Sequence, residues 1–174
     1  QLQPQSPYAE TKLKSEQLLQ KMGQNEKLRY VICRFGTIFG TSTGMRFHTA
    51  VNKFCWQAVM GQPITVWRTA LDQKRPYLDL DDAIEALKLI INRDLFDGGL
   101  YNVVTANSTV GNIVDAISEP IPGASIEYVD SPIMNQLSYN VKADRFSNLG
   151  FTFTGSLKRG IGDTISLLKG AREG

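Results

Sequence analysis

Apolar residues along the chain follow two alternating spacings, and this alternation predicts a mixed α/β fold. Apolar positions three or four residues apart indicate amphipathic helices, and short continuous apolar runs indicate strands buried in a parallel sheet. The pattern predicts helices over 7–22, 47–60, 81–92, 109–118, 144–149 and 157–168, and strands over 30–35, 64–67, 100–104 and 126–129. Helices and strands that alternate in this way favour the α/β class.

The first predicted helix has well-defined ends. Ser6 suits the N-cap and Pro7 the first helical position, while Gly23 follows the predicted last turn. Asp81 and Asp82 stand at the start of a later helix, where capping explains two adjacent carboxylates better than catalysis does. The apolar stripe of the first helix comprises Leu13, Leu18, Leu19 and Met22. Predicted loops cover 36–44, 68–74 and 130–139.

The composition is that of a soluble globular domain. The 174 residues, 42% hydrophobic and 21% charged, are enough for one domain with a sizeable core. A net charge of +2 without a Lys/Arg run argues against a nucleic-acid partner, and charges interrupt the long apolar stretches, which argues against a membrane span. Cys33 and Cys55 lack metal-ligand spacing, so with no signal peptide we predict reduced thiols, no metal site and a cytoplasmic location. Because the first residue is Gln1 and not Met, we expect a piece of a longer protein.

Tyr8 and Lys12 form the strongest chemical signal in the chain. Their spacing is about one helical turn, so both side chains lie on one helix face. A tyrosine ordinarily keeps its proton at neutral pH, and a fixed ammonium group nearby stabilises the phenolate. The pair therefore predicts a proton-transfer site. For the motif alone, the alternative is a surface tyrosine beside a solvated lysine.

Several collinear blocks of sequence accompany this pair. They are Ser6-Pro7-Tyr8-Ala9-Glu10-Thr11-Lys12, Arg34-Phe35-Gly36-Thr37-Ile38-Phe39-Gly40, Arg75-Pro76-Tyr77-Leu78-Asp79-Leu80-Asp81-Asp82-Ala83, Tyr101-Asn102-Val103, and a tail over 144–161. Together they resemble the extended short-chain dehydrogenase/reductase family, the NAD-dependent nucleotide-sugar epimerases and dehydratases. The resemblance covers essentially the whole chain and implies the C-terminal half of a Rossmann-like fold with an α/β substrate-binding domain.

The resemblance implies a mechanism and a cofactor, NAD or NADP. As a phenolate, Tyr8 takes a proton from a sugar hydroxyl while hydride passes to the nicotinamide, or the reverse. Lys12 stabilises the phenolate and hydrogen-bonds the nicotinamide ribose, so both residues also bind the cofactor. The segment beside the nicotinamide comprises Phe35, Gly36, Thr37 and Ile38. Thr37 departs from the family pattern, because many members have there an asparagine that contacts the nucleotide-sugar substrate.

The resemblance also implies substrate-binding residues along the nucleotide sugar. Arg75 is the candidate for the diphosphate, because a guanidinium group binds phosphate oxygens in a bidentate manner. Its alternative is a surface arginine paired with Asp72 or Asp79. Asn52 resembles the asparagine that supports the diphosphate, and its alternative is a residue at a helix start that is turned to solvent.

The nucleobase end of the substrate has weaker candidates. Val66 and Trp67 lie where members of the family run a strand along the base, although an aromatic residue in a short strand more often belongs to the core. Gln136 and Tyr139 lie in a late loop that often closes over the nucleotide. His48 is the only histidine, and helix packing or surface exposure explains it better than catalysis or metal binding.

The glycine-rich turn that binds the cofactor in the N-terminal half of this family does not occur in the sequence. We therefore predict that residues 1–45 are a remnant of the nucleotide-binding domain and that 46–174 are mainly the substrate-binding domain, with some segments returning to the Rossmann core. The chain alone is expected to be inactive, with an exposed sheet edge that favours a homodimer. Two alternatives are a non-catalytic nucleotide-sugar binding or assembly module and a half-enzyme active only when its N-terminal half is supplied in trans.

Overall fold

Helices alternate with short strands in the computed structural model, which describes residues 6–130 and 138–173. The helices are α1 (Pro7–Glu26), α2 (Ala50–Val59), α3 (Leu80–Asn92), α4 (Val110–Ser118), α5 (Asp144–Ser147) and α6 (Leu157–Glu173). The strands are β1 (Ile32–Phe35), β2 (Thr37–Phe39), β3 (Ile64–Trp67), β4 (Lys74–Asp79), β5 (Leu100–Val103), β6 (Ala106–Thr109) and β7 (Ile126–Val129). The predicted α/β class is confirmed.

The strands form three small sheets within the described part of the chain. β1 pairs in parallel with β5, and β3 pairs in parallel with β7. In the third sheet β4 lies in the middle, parallel to β2 and antiparallel to β6. β1 therefore has β5 as its one strand neighbour among these residues, which is the open edge that the sequence predicts.

Gly36 is the point at which the chain passes from the first sheet to the third. It separates β1 from β2, and its N–H donates to the carbonyl of Val103 at 3.0 Å. A Cβ at this position would lie 2.9 Å from the carbonyl carbon of Tyr77. Glycine is needed here because two backbones approach more closely than a side chain permits.

The sequence predictions of loops over 36–44 and 68–74 are wrong in part. β2 lies inside the first of these segments, and β4 begins at Lys74, the last residue of the second. β6 is a further strand that the pattern does not predict. β2 and β6 are short, and β4 begins with Lys74, Arg75 and Pro76, so pairing with neighbouring strands determines the conformation of all three more than local apolar alternation does.

The first helix also extends beyond its predicted end. α1 continues past Gly23 to Glu26 and ends at Lys27, which adopts a left-handed conformation with φ of 56°. A Cβ at position 23 would lie only 2.2 Å from the Tyr30 ring. Gly23 is therefore a contact site for an aromatic ring within the helix and not the residue that ends it.

Polar contacts hold α1 against the rest of the chain. None of the described residues of α1 is buried, and Leu18, part of the predicted apolar stripe, is 58% exposed. Arg34 on β1 binds Glu16 in a bidentate manner, with its Nε donating to Oε1 at 2.7 Å. The apolar stripe of α1 is thus only partly covered within the part of the chain that the structure describes, with Leu13, Leu19 and Met22 half-buried.

Two clusters of buried side chains meet at β4. One is built mainly from α2, α4, α6 and β3, and the other mainly from α3, α5 and β5. Tyr77 belongs to the first cluster and Leu78 to the second, because successive strand residues face opposite sides of a sheet. β4 therefore joins the two clusters, and its first residues border the candidate site.

Candidate functional site

Tyr8 lines a pocket of about 410 Å³, which we call the Tyr8 pocket. Its phenol is accessible, since the residue is 73% exposed. The structure brings to the same pocket six of the residues that the sequence predicts for the site: Tyr8, Phe35, Gly36, Thr37, Ile38 and Asn52. The start of β2 and the first turn of α2 thus face the end of α1 that carries the tyrosine.

Lys12 stands one helical turn from Tyr8, outside the lining of the pocket. Its Nζ lies 5.6 Å from the centroid of the Tyr8 ring, so the ammonium group and the phenol share one face of α1. Ser6 caps this end of the helix by accepting a hydrogen bond from the N–H of Ala9 at 3.2 Å. The cap fixes the first turn, from which Tyr8 projects.

A second pocket, of about 370 Å³, adjoins the first, and we call it the Arg75 pocket. Lys53 and Arg75 supply positive charge to its lining, and Trp67 and Tyr77 supply aromatic surface. A cationic surface beside aromatic rings suits a ligand that carries both phosphate and a planar base.

Three residues, Thr37, His48 and Thr49, line both pockets and mark their junction. Thr49 is the N-cap of α2, and its side chain makes no capping hydrogen bond within the described residues. The first N–H groups of a helix lack intrahelical acceptors and carry partial positive charge. The junction between the pockets is therefore favourable for an anion.

Arg75 is held in place by neighbours on both sides. Its Nη2 donates to Oε1 of Gln73 at 3.0 Å, and its guanidinium carbon lies 5.2 Å from the centroid of the Tyr139 ring. The N–H of Tyr139 in turn donates to the carbonyl of Lys74 at 3.3 Å. Tyr139 of the late loop thus contacts Arg75, whereas Gln136 lies outside the described residues, and closure of the loop over a nucleotide stays a prediction.

The two residues predicted beside the nucleobase face different ways. Trp67 is 42% exposed and lines the Arg75 pocket, so the interpretation that placed it in the core is wrong. Val66 is 1% exposed, belongs to the first core cluster and lines neither pocket. The alternation of side chains along β3 explains the difference.

Asn52 lies in the first turn of α2 and is only 5% exposed, so the interpretation that turned it to solvent is wrong. Its Nδ2 donates to the carbonyl oxygen of Arg46 at 3.1 Å. Its Oδ1 is buried and has no hydrogen-bond partner among the described residues. Buried polar atoms are nearly always paired, so this oxygen is an exception among the described residues.

Tyr77 is the second phenol at the site, and its environment differs from that of Tyr8. Burial raises the pKa of Tyr77 to about 12, although the nearby Arg75 acts in the opposite direction. Tyr77 therefore stays protonated at neutral pH. The exposed Tyr8 is the better candidate for proton exchange with a ligand.

Two functional candidates were not predicted from the sequence. His48 is exposed and lines both pockets. The sequence does not single it out, because no Cys, Asp or Glu stands at metal-ligand spacing around it. Lys53 lines the Arg75 pocket next to the predicted Asn52. The start of α2 is the signal that would have found both, because helix N-termini attract anions and cationic neighbours add to that attraction.

A network of hydrogen bonds to buried carboxylates lies at the end of β4. The interpretation of Asp81 and Asp82 as caps is wrong, because Asp79 is the N-cap of α3 and its side chain accepts from the N–H of Asp81 at 3.0 Å. Asp82 is 2% exposed and accepts from the Thr105 hydroxyl at 2.6 Å and from the N–H of Thr154 at 2.9 Å. The network connects the end of β4 to the segment that leads into α6.

Residues 6–130 and 138–173 contain no helix that is both long and apolar enough to cross a membrane. Within the same ranges, no group of three His, Cys, Asp or Glu side chains is arranged to hold a metal ion. Cys33 is half-buried and Cys55 is buried, and neither is in a disulfide. Burial raises the pKa of the Cys55 thiol to about 12.

Comparisons with known proteins identify the family and the fold. The model of the NAD dependent epimerase/dehydratase family matches residues 1–103. The dTDP-D-glucose 4,6-dehydratase of Bos taurus is 26% identical over 172 residues, which cover 94% of this chain and 47% of that protein. The UDP-glucose 4-epimerase of Thermus thermophilus, solved in complex with NAD, is 26% identical with a TM-score of 0.83, over 97% of this chain and 56% of that one.

The fold extends to more distant structures. The UDP-glucuronic acid 4-epimerase from Bacillus cereus, solved with UDP-glucuronic acid and NAD, matches with a TM-score of 0.87 at 21% identity. That match covers 98% of this chain and 55% of the epimerase. The chain thus spans about half the length of the relatives it matches.

Proposed function

We propose that the chain forms the catalytic helix and the substrate-binding part of a nucleotide-sugar epimerase or dehydratase. The chain belongs to the NAD dependent epimerase/dehydratase family, as its sequence blocks predict. The observation that carries the proposal is that the two pockets adjoin and share Thr37, His48 and Thr49 in their linings. One pocket offers a phenol, and the other offers cations with an aromatic ring. A sugar, a diphosphate and a base occur in that order along a nucleotide sugar.

At the Tyr8 end, we propose that the tyrosine exchanges a proton with a sugar hydroxyl. General acid–base work requires a group within hydrogen-bond reach of the reacting proton, and an exposed phenol that lines a pocket is accessible to a ligand there. Lys12, whose Nζ lies 5.6 Å from the ring centroid, stabilises the phenolate. Both roles rest on the family resemblance together with this geometry.

NAD or NADP would supply the hydride acceptor for this chemistry. The residues present fit the nicotinamide end of such a cofactor, because the 35–38 segment lines the Tyr8 pocket. The sequence contains no glycine-rich turn for the pyrophosphate. We therefore propose that residues 1–45 belong to the nucleotide-binding domain of the whole enzyme and that 46–174 form mainly its substrate-binding domain.

The Arg75 end would bind the diphosphate and the base. We propose that Arg75 and Lys53 contact phosphate oxygens and that Trp67 flanks the base. The open N-terminus of α2 at the junction adds to the attraction for phosphate. This arrangement favours an enzyme that binds nucleoside diphosphate sugars over one that binds free sugars.

Replacing Arg75 with leucine is expected to weaken the binding of UDP or dTDP by about 10–100-fold, because a charge-assisted hydrogen bond contributes about 1.5–3 kcal/mol. Isothermal titration calorimetry on the folded chain measures the effect. The matched control is Arg68→Leu, since Arg68 is exposed on the 3₁₀ turn and stacks on Tyr128 outside the pocket. Equal affinities in the two variants would contradict the diphosphate role of Arg75.

The chain alone is expected to show no turnover of a UDP- or dTDP-sugar, because half of the cofactor site is absent from its 174 residues. Adding the separately expressed N-terminal half of the parent enzyme, with NAD, is expected to restore activity. The edge of β1 that has no strand partner among the described residues is the surface on which that half would pair, and without it we propose that the edge favours self-association. Turnover by the purified chain would overturn this expectation, and light scattering measures the association.

The unpaired state of Cys33 and Cys55 is in keeping with the cytoplasmic location that we propose for the enzyme.

A further inference from the structure

Residues 138–142, which we call the strap, lie against the strand that carries Arg75. The N–H of Lys74 donates to Oγ of Ser138 at 3.0 Å, and the N–H of Tyr139 donates to the carbonyl of Lys74 at 3.3 Å. The centroid of the Tyr139 ring lies 5.2 Å from the guanidinium carbon of Arg75. The first end of the strap therefore brings an aromatic ring to the arginine of the Arg75 pocket.

The other end of the strap is held by the side chain of Asn107, an exposed residue on β6. Its Nδ2 donates to the carbonyl of Val141 at 3.0 Å, and its Oδ1 accepts from the N–H of Val141 at 2.8 Å. One backbone residue thus uses both ends of the amide. Rotating the amide by half a turn would set donor against donor and acceptor against acceptor, so the two bonds fix the orientation of Asn107.

Two further asparagines show how much of this attachment depends on Asn107. Nδ2 of Asn102 on β5 adds a single bond, to the carbonyl of Lys142 at 3.1 Å. Asn140 belongs to the strap itself, is exposed, and makes no side-chain hydrogen bond with residues 6–130 and 138–173. Asn107 is therefore the side chain with two bonds to the strap, and it makes them two residues from Tyr139.

The contact between Tyr139 and Arg75 has a consequence for phosphate binding. A ring stacks on the face of a guanidinium group, whereas the N–H groups that bind phosphate oxygens lie in its plane. A long side chain loses rotamer freedom when it binds a ligand, and one that is already held in place loses less. The ring therefore favours phosphate binding by Arg75 as long as the strap keeps it there.

We propose that Asn107 is a positioning residue for the diphosphate; this inference rests on the proposed function. Asn107 lines neither the Tyr8 pocket nor the Arg75 pocket, so its effect is transmitted and not direct. Its two bonds hold Val141, the strap keeps the Tyr139 ring in place, and the ring orients Arg75. Loss of the amide frees the strap between Lys74 and Lys142 and lets the ring leave the guanidinium group.

The first measurement is amide hydrogen exchange of the chain, followed by NMR without a ligand. Asn107→Leu, close in size to asparagine, is expected to raise the exchange rate of the Tyr139 N–H by about tenfold, because the strap then opens more often. The N–H of Thr105, which donates to the carbonyl of Tyr77 at 2.9 Å, reports on the fold around β4 and is expected to keep its rate.

The second measurement is the affinity for UDP and dTDP by calorimetry. Asn107→Leu and Tyr139→Leu are each expected to weaken binding by about 2–5-fold, the range of one exposed cation–π contact. In the Tyr139→Leu background, Asn107→Leu is expected to have no further effect, because no ring is left to position. A purely structural role of Asn107 would not produce this coupling. Asn140→Leu, the matched control within the strap, is expected to leave the affinity unchanged.

Two results on the variants alone would overturn the inference and leave the proposed function standing. The first is an Asn107→Leu chain that keeps either the exchange rate of the Tyr139 N–H or the wild-type affinity for both nucleotides. The second is an Asn140→Leu chain that binds as weakly as Asn107→Leu, because any change in the strap would then have the same effect.

Two further results concern the route and the ligand. If Asn107→Leu weakens binding equally with and without the Tyr139 ring, Asn107 acts on the nucleotide or on the fold by another route, and only this inference fails. If neither UDP nor dTDP binds the folded wild-type chain, the proposed function fails together with the inference.

Discussion

Replacing Asp82 with alanine is expected to lower the free energy of unfolding by about 3–5 kcal/mol. The carboxylate is 2% exposed and accepts hydrogen bonds from the Thr105 hydroxyl and from the N–H groups of Thr154 and Gly155. Alanine leaves these three donors without their acceptor, and each unpaired buried donor costs about 1–3 kcal/mol. Urea unfolding followed by far-UV circular dichroism measures the change.

The neighbouring aspartate provides a matched control for this substitution. Asp81 is exposed in the same first turn of α3, so Asp81→Ala is expected to cost less than about 1 kcal/mol, mainly through the helix dipole. If the two variants unfold at the same urea concentration, the network around Asp82 does not stabilise the fold as described.

Gly155 shows how tightly the segment before α6 is held against this carboxylate. A Cβ at position 155 would lie 2.3 Å from the Cβ of Asp79 and 2.6 Å from Oδ2 of Asp82. Asp79 in turn accepts from the N–H of Ser156 at 3.2 Å. The segment therefore enters α6 in direct contact with the end of β4.

The sequence predicts this fold best where local pattern and tertiary structure agree. Helix α3 and strands β3 and β7 are predicted nearly to the residue, because their apolar positions have the spacing of the element and their ends carry breakers. β4 departs from this rule because Pro76 interrupts it. Pro76 is opposite Asn107 of β6, while the pairing with β2 starts only at Tyr77, so the missing N–H of proline is tolerated there.

The candidate site is likewise predicted from the sequence in some residues and not in others. The Tyr8–Lys12 pair and the 35–38 segment are predicted from their blocks, and the structure gathers Tyr8 and that segment in one pocket. The direction of a side chain relative to the core cannot be predicted from composition alone. The sequence predicts a core position for Trp67, because it is an aromatic residue in a short strand, but its side chain lines a pocket. The sequence predicts a helix cap for Asp82, because it stands at a helix start, but its side chain is buried.

In the complete enzyme that we propose, Tyr8→Phe is expected to lower the rate of hydride transfer by about 10²–10⁴-fold, the range of general acid–base catalysis. Phenylalanine keeps the ring beside Lys12, whose Nζ lies 5.6 Å from the ring centroid, and removes only the hydroxyl that exchanges the proton. Because the ring remains in the Tyr8 pocket, binding of the cofactor and of the nucleotide sugar is expected to change little.

Two pairs of substitutions separate loss of the proton-transfer group from general damage to the site. Tyr128→Phe removes a hydroxyl from another exposed tyrosine, on β7 beneath Arg68 and outside both pockets, and is expected to leave the rate unchanged. Lys12→Met removes the charge that stabilises the phenolate and is expected to slow the same step. Its control is Lys14→Met, because two residues along a helix do not share a face, and this change is expected to have little effect.

The decisive measurement is a single turnover of the assembled enzyme with a UDP- or dTDP-sugar, followed by the absorbance of the reduced nicotinamide. Calorimetry on the same samples shows whether the ligands still bind. A Tyr8→Phe enzyme that binds both ligands and transfers hydride at a near-normal rate would refute the assignment, because the proton would then have left the sugar without Tyr8. A slow step with intact binding places the loss in the chemistry, since weaker binding alone would raise KM and leave kcat unchanged.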